Sequence, residues 1–338
     1  MKIALYALTR QGLKLAKKLA VDLGGTVYAT RRLAEGSIRP FDSLPKLLAG
    51  TFSQYDGHVF IAAAGIVIRC ISPHLESKET DPAVVCLDQE GRFAVSLLSG
   101  HLGGANELTL QCAKSVGGQP VVTTATDSAG VPSLDMLAAA KGLVIGNIEQ
   151  VKVVNGALLD KGIVQIFDPE DSLDLAGNEL FSSVARRDDW GKGRPGVWVS
   201  WKEDCPDDNA LRLYPKVLHL GMGCRRGIPV DEILEHVRSV FDAKGLAVKS
   251  IASLGSVEAK RDEAGLLEAA RELGVEPVFY STEKLGSVVV PTPSKMVLVH
   301  MAVPSVAEAS AMLSSGHGEL IITKQKTKTV TLAVARSR

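Results

Sequence analysis

The chain has 338 residues, 46% hydrophobic and 22% charged, the balance of a globular protein too long for one ordinary core, so two or three domains are expected. Lys+Arg and Asp+Glu stand at 38 each with no basic block, which argues against nucleic acid as main partner but leaves room for a basic pocket around a polyacidic small molecule. The longest apolar run, "VFIAAAGIVI" at 59–68, is half a membrane span, "MKIALYALTR" has too short an apolar core for a secretory signal, and five Cys without a CxxC pair suggest reduced thiols in the cytoplasm, with no disulfide frame or zinc site.

In chain order, "KIALYAL" is a first strand and "QGLKLAKKLAVDLG" an amphipathic helix with Leu13, Ala16, Leu19, Ala20 and Leu23 on one face. "TVYAT" is a strand, "FDSLPKLLAGTF" a short helix interrupted by Pro45, "GHVFIAAA" a buried strand ending at Gly65, and "IVIRCISPHL" a helix. "AVVCLD" and "FAVSLLS" are strands joined by a hairpin turn, "QEGR"; "ANELTLQCAKSVG" is a helix and "PVVTTA" another strand. This rhythm predicts an open, mostly parallel, Rossmann-like α/β domain over 1–135. A small α/β middle domain is expected over 136–213, with helices at "LDMLAAAKGL" and "NIEQVKVVNGALLDKG" and strands at "IVQIFD" and "VWVSW". All three Trp (190, 198, 201) fall here, and packing accounts for them better than a binding surface. A C-terminal α/β domain, 214–338, reads as strand "KVLHLGMG", helix 229–244, strand "LAVKSIASL", helix 262–273, strands "PVFYS" and "MVLVH", helix "SVAEASAMLSSG", and strands "ELIIT" and "VTLAVAR".

Three glycine- or hydroxyl-rich turns are candidate sites. "LHLGMGCRRG" (218–227) spaces its glycines GxGxxxG, has no acid at the end of the next strand, and puts Arg225 and Arg226 where a dinucleotide needs close backbone approach, so it fails as a nicotinamide fingerprint. Two readings then stand: an anion site of helix N-terminal N–H groups reinforced by Gly223, Arg225 and Arg226, or a tight turn with surface arginines. Cys224, near a helix start and two arginines, would have a lowered pKa, though a thiolate route is the lesser reading. "SLLSGHLGGANEL" (96–108) lacks the Lys-Ser/Thr of a phosphate loop. It gathers Gly100, Gly103 and Gly104 around His101, with Asn106 in the next helical turn. A lone His in a loop is more often structural; three glycines around a titratable group, at what reads as the carboxyl end of a parallel strand, favour a functional one. In "VVTTATDSAG" (121–130), Thr124, Thr126 and Asp127 cluster; such residues often only cap turns, but if this strand lies beside 93–99, Asp127 comes near His101.

Together these stretches resemble one family. The run from "AAAGIVIRCISPHL" through "SGHLGGANEL" to "TTATD" resembles the N-terminal part of the cobalamin-biosynthesis CbiG family, and "LGMGCRRG", "SIASLGSVEAKRDEAGLLEAARELG" and "SVAEASAML" resemble its C-terminal domain. The resemblance implies a cobalt-precorrin-5A hydrolase of anaerobic vitamin B12 synthesis, opening the δ-lactone of a cobalt tetrapyrrole and releasing acetaldehyde. It implies no protein cofactor or metal, since cobalt arrives in the substrate. It also implies a small-molecule tetrapyrrole partner, with transient contact to neighbouring pathway enzymes. In this reading His101 moves the proton, Asp127 orients it, and the N–H groups of Gly103 and Gly104 hold the oxyanion. Gly65, Arg69, Gly100, Asn106, Thr124, Thr126, Gly223, Cys224, Arg225 and Arg226 line the substrate. A non-catalytic tetrapyrrole carrier is the alternative.

Overall fold

The computed structural model describes residues 1–77, 80–101, 103–293 and 303–337, with the backbone alone at Asp127 and Ser128. The chain divides into two compact units, Met1–Met136 and Leu137–Arg338.

The first unit begins with β1 (Ile3–Ala7), buried on both faces as befits a central parallel strand. The Thr9 hydroxyl then accepts from Gly12 N at 3.0 Å and caps α1 (Arg10–Leu23), which buries Leu13, Ala16 and Leu19. β2 (Thr26–Thr30), the short β3 (Arg39–Phe41) and α2 (Leu44–Thr51) follow. Pro45 opens α2 rather than interrupting it, because a first-turn residue has no intrahelical use for its missing N–H. β4 (Gly57–Ile61), α3 (Ala64–Ile71), β5 (Ala83–Leu87), β6 (Phe93–Leu98), α4 (Ala105–Val116) and β7 (Gln119–Val121) complete the sheet. The strand order is β3-β2-β1-β4-β5-β6-β7.

All neighbours pair in parallel except β5 and β6, whose "QEGR" connection is too short for a crossover and reverses the chain. This corrects one expectation. The loop after β6 leaves at the edge of the sheet opposite the carboxyl ends of β1, β4 and β5. β7 lies parallel beside β6, Phe93 opposite Gln119 and Val95 opposite Val121, and is shorter than expected: residues 125–129 turn into α5 (Ala125–Ala129). α6 (Leu134–Ala140) follows.

The second unit holds two five-stranded sheets. β8 (Leu143–Ile145), β9 (Val164–Phe167), β10 (Phe181–Ser183), β11 (Gly196–Val199) and β12 (Leu211–Pro215) form one, in the order β10-β9-β11-β12-β8, with α7 (Glu149–Leu159) between β8 and β9. β10 and β12 carry no strong strand pattern, one being three residues long and the other ending in proline. The tryptophans do pack: Trp198 stacks on Phe167 at 3.9 Å between ring centres and meets Trp190 edge-on at 5.2 Å.

The other sheet, in the order β15-β14-β13-β17-β16, is built from β13 (Leu218–Cys224), β14 (Ile251–Val257), β15 (Pro277–Tyr280), β16 (Glu319–Lys326) and β17 (Val330–Arg336). α8 (Val230–Lys244), α9 (Ala264–Glu272), α10 (Thr282–Gly286) and α11 (Val306–Ser314) accompany it. The strand expected at "MVLVH" lies outside the described residues. Among the described residues no helix is long and apolar enough to cross a membrane.

Candidate functional site

The loop after β6 is organised around His101. Ser99 takes the left-handed conformation (φ 54°), and its carbonyl accepts from Ala105 N at 3.0 Å. The Gly100 carbonyl accepts from Asn106 N at 2.9 Å, and that of His101 from Gly104 N at 2.8 Å. Gly100 is required by proximity: a Cβ there would lie 2.7 Å from Asn106 Oδ1. Asn106, buried, ties the loop to both strands, accepting from Ser96 Oγ at 2.8 Å and donating to Thr124 Oγ1 at 2.9 Å.

The half-buried His101 ring is held at both nitrogens. Nε2 is 3.2 Å from Thr126 Oγ1, Nδ1 is 3.1 Å from Ser133 Oγ, and Asp135 Oδ2 is 3.6 Å from Nδ1. Ser133 Oγ itself donates to Asp135 Oδ1. The pairing of β6 with β7 therefore brings Thr124, Thr126, Asn106 and His101 together. The Asp127 side chain, expected to orient His101, lies outside what is described; the acid seen beside the ring is Asp135, at the start of α6. Sequence reasoning missed Ser133 and Asp135. The signal was "VPSLDM", an S-x-D at a helix start, which alone reads as capping. The expected oxyanion role of Gly104 needs correction as well, since its N–H is engaged by the His101 carbonyl. Gly103 belongs to the same loop, where a Cβ would meet Ser99 Cβ at 2.4 Å.

Gly65 and Arg69 are at the other edge. Gly65 is in the first turn of α3, after the carboxyl end of β4, and the exposed Arg69 folds back to donate from Nη1 to the Gly65 carbonyl at 3.0 Å. Here the strand order reverses between β1 and β4, the place where open α/β sheets form a crevice. A cavity of about 540 Å³ fills it, walled by Leu8, Thr9, Ala62, Ala63, Ile66 and Phe93. Ile66 and Phe93 are 43% and 47% exposed, an apolar rim that no motif announced.

The GCRRG stretch differs from its anion-site reading. Gly221 and Gly223 lie within β13, paired with Ala333 and Thr331 of β17, and do not form a loop. A Cβ on Gly221 would come 1.9 Å from the Ala307 carbonyl oxygen, so this glycine lets α11 lie directly on the strand. The turn begins at Arg225. Gly227 N donates to Glu263 Oε1 at 2.8 Å, and α8 carries Asp231 and Glu232 in its first turn, so the chain's own carboxylates occupy the positive helix end. Arg225 is exposed; Arg226, also exposed, donates to Asp262 Oδ2 at 3.1 Å and holds that carboxyl below its usual range. Cys224 ends the strand, and burial pushes its thiol up, against the opposing pull of Lys260. The expected lowered pKa is thereby overturned. Among the described residues no group of three or more His, Cys, Asp or Glu is placed to hold a metal.

Three contiguous regions match family descriptions: "Cobalamin synthesis G N-terminal" over residues 46–127, "Cobalamin biosynthesis central region" over 132–215, and "Cobalamin synthesis G C-terminus" over 218–335. The chain is 32% identical to "Cobalt-precorrin-5A hydrolase" of Priestia megaterium, covering 98% of this chain and 94% of that protein. It is also 32% identical to the protein of the same name from Salmonella typhimurium, covering 98% and 97%. Among solved structures, cobalamin biosynthesis protein chiG from Agrobacterium tumefaciens matches 36% of this chain and 98% of its own at 33% identity, with a TM-score of 0.30. Fold and site define a multi-sheet α/β protein with an imidazole-centred polar network. The chain belongs to the cobalamin synthesis G family.

Proposed function

We propose that the protein is a cobalt-precorrin-5A hydrolase, taking a carboxylate-fringed cobalt tetrapyrrole as substrate. The observation that carries this reading is 32% identity over nearly the whole chain to two relatives of that name. The His101 network supplies chemistry suited to it. Lactone opening is acyl transfer to water: Nε2 takes a proton as the water oxygen bonds the carbonyl carbon, and charge builds on the carbonyl oxygen. Collapse of the tetrahedral intermediate breaks the ester C–O bond and returns the proton to the departing alkoxide. Loss of that hydroxyl's proton to a base then lets the C–C bond break, its electron pair passing into the conjugated macrocycle while the carbon and its methyl leave as acetaldehyde. His101 serves as base in both steps, and cobalt belongs to the substrate.

The Arg226–Asp262 pair is exposed and contributes little to stability. The half-buried thiol of Cys224 is left as a structural group.

The test is incubation of the purified protein with the lactone-bearing cobalt intermediate, scoring acetaldehyde and the mass of the corrinoid. Equal yields of acetaldehyde and lactone-opened product are expected. Tight binding with neither product would make the protein a carrier and overturn the reading.

A further inference from the structure

The contacts around His101 carry proton information. Ser133 Oγ has one hydrogen, and it goes to Asp135 Oδ1. Toward His101 Nδ1, 3.1 Å away, the same oxygen can therefore only accept. Nδ1 must carry the ring proton, and the second carboxylate oxygen, 3.6 Å from Nδ1, favours a proton there too. Nε2 is left with its lone pair; Thr126 Oγ1 at 3.2 Å donates to it here, and the attacking water takes that hydroxyl's place when Nε2 acts as base.

We infer that Ser133 and Asp135 are positioning residues that fix His101 in the Nδ1–H tautomer, presenting Nε2 as the proton acceptor and stabilising the imidazolium that forms. The inference rests on the reading of His101 as the base. The logic is that of a His–carboxylate pair, with a serine hydroxyl relaying most of the contact. When Nε2 takes the proton from water, the positive ring faces Asp135 through Ser133. When the proton passes to the leaving alkoxide, the ring returns to Nδ1–H, so the relay gains and loses nothing over the cycle.

The same unit holds a histidine of the opposite tautomer. His58 Nε2 is 2.9 Å from the Phe52 carbonyl, which can only accept, so the proton is on Nε2; Nδ1 accepts from Tyr6 Oη at 2.9 Å. One protein thus supplies both references for one measurement.

Nitrogen-15 NMR of histidine-labelled protein without substrate reads both rings, with His101→Gln and His58→Gln spectra giving the assignments. His101 is expected protonated at Nδ1 and His58 at Nε2. Ser133→Ala and Asp135→Asn should shift His101 toward Nε2–H and lower kcat by about 10²-fold, the usual contribution of a general base, with KM little changed. Asp135→Glu should recover part of the rate. A wild-type His101 protonated at Nε2 would overturn the inference without needing any variant. Normal kcat in Asp135→Asn beside an inactive His101→Ala would overturn the positioning role alone, whereas normal kcat in His101→Ala would overturn the reading of His101 itself.

Discussion

The turn at Gly100–Gly104 and the stretch Gly221–Gly227 look alike in sequence, each a strand, a few glycines and a helix, yet they use glycine differently. In the first, absent side chains let a loop fold tightly over Asn106 and hold an imidazole between hydroxyls. In the second, Gly221 is a strand residue whose missing Cβ admits the backbone of α11, and the turn that follows is tied down by Gly227 N donating to Glu263. Glycine density marks close approach of backbone to something; only the neighbouring side chains say to what.

Breaking the packing at Gly221 should have the largest effect. Gly221→Val drives carbons into the Ala307 carbonyl, and urea unfolding should show a loss of more than about 3 kcal/mol. Gly223→Ala, whose nearest neighbour would be Thr331 Oγ1 at 3.4 Å, should fall within about 0.5 kcal/mol of wild type. Equal effects at the two positions would contradict the packing role given to Gly221.

A second contrast sharpens the first, between the polar network at His101 and the aromatic stack at His58. His58 is fully buried among Tyr6, Phe52 and Phe60, and burial pushes its pKa down from 6.5 to about 4. The folded state refuses a proton that the unfolded chain binds. Stability is full above pH 6.5 and falls as pH drops from 6.5 to 4, by at most about 3 kcal/mol. His58→Phe should flatten that part of the urea-midpoint profile; an unchanged slope would assign the acid sensitivity elsewhere.

The smallest effect belongs to the exposed arginine. Arg226→Ala, which removes an exposed pair with Asp262, should leave kcat and the unfolding midpoint alone. A collapse in kcat would move the GCRRG stretch into the chemistry and erase the contrast between the two turns.

The alternation of "KIALYAL", "GHVFIAAA" and "AVVCLD" with amphipathic helices made the parallel core legible, because a strand buried on both faces must be apolar throughout. The direction of β6 was legible too, since four residues cannot cross a sheet and "QEGR" reads as a hairpin; sequence reasoning missed its consequence, that His101 lies at the edge away from Gly65. The Ser133–Asp135 pair was hidden because it reaches His101 from more than 30 residues away through a turn that reads locally as a cap. The switch-point cavity was hidden for another reason: its walls are mostly ordinary Leu, Ala, Ile and Phe, distinguished only by the strand order behind them.

The proposed chemistry resides at the glycine turn after β6. Acetaldehyde release in a single turnover by His101→Ala, with substrate saturating, tests it most directly. A rate about 10²-fold below wild type with binding intact is expected; release at the wild-type rate would place the chemistry elsewhere.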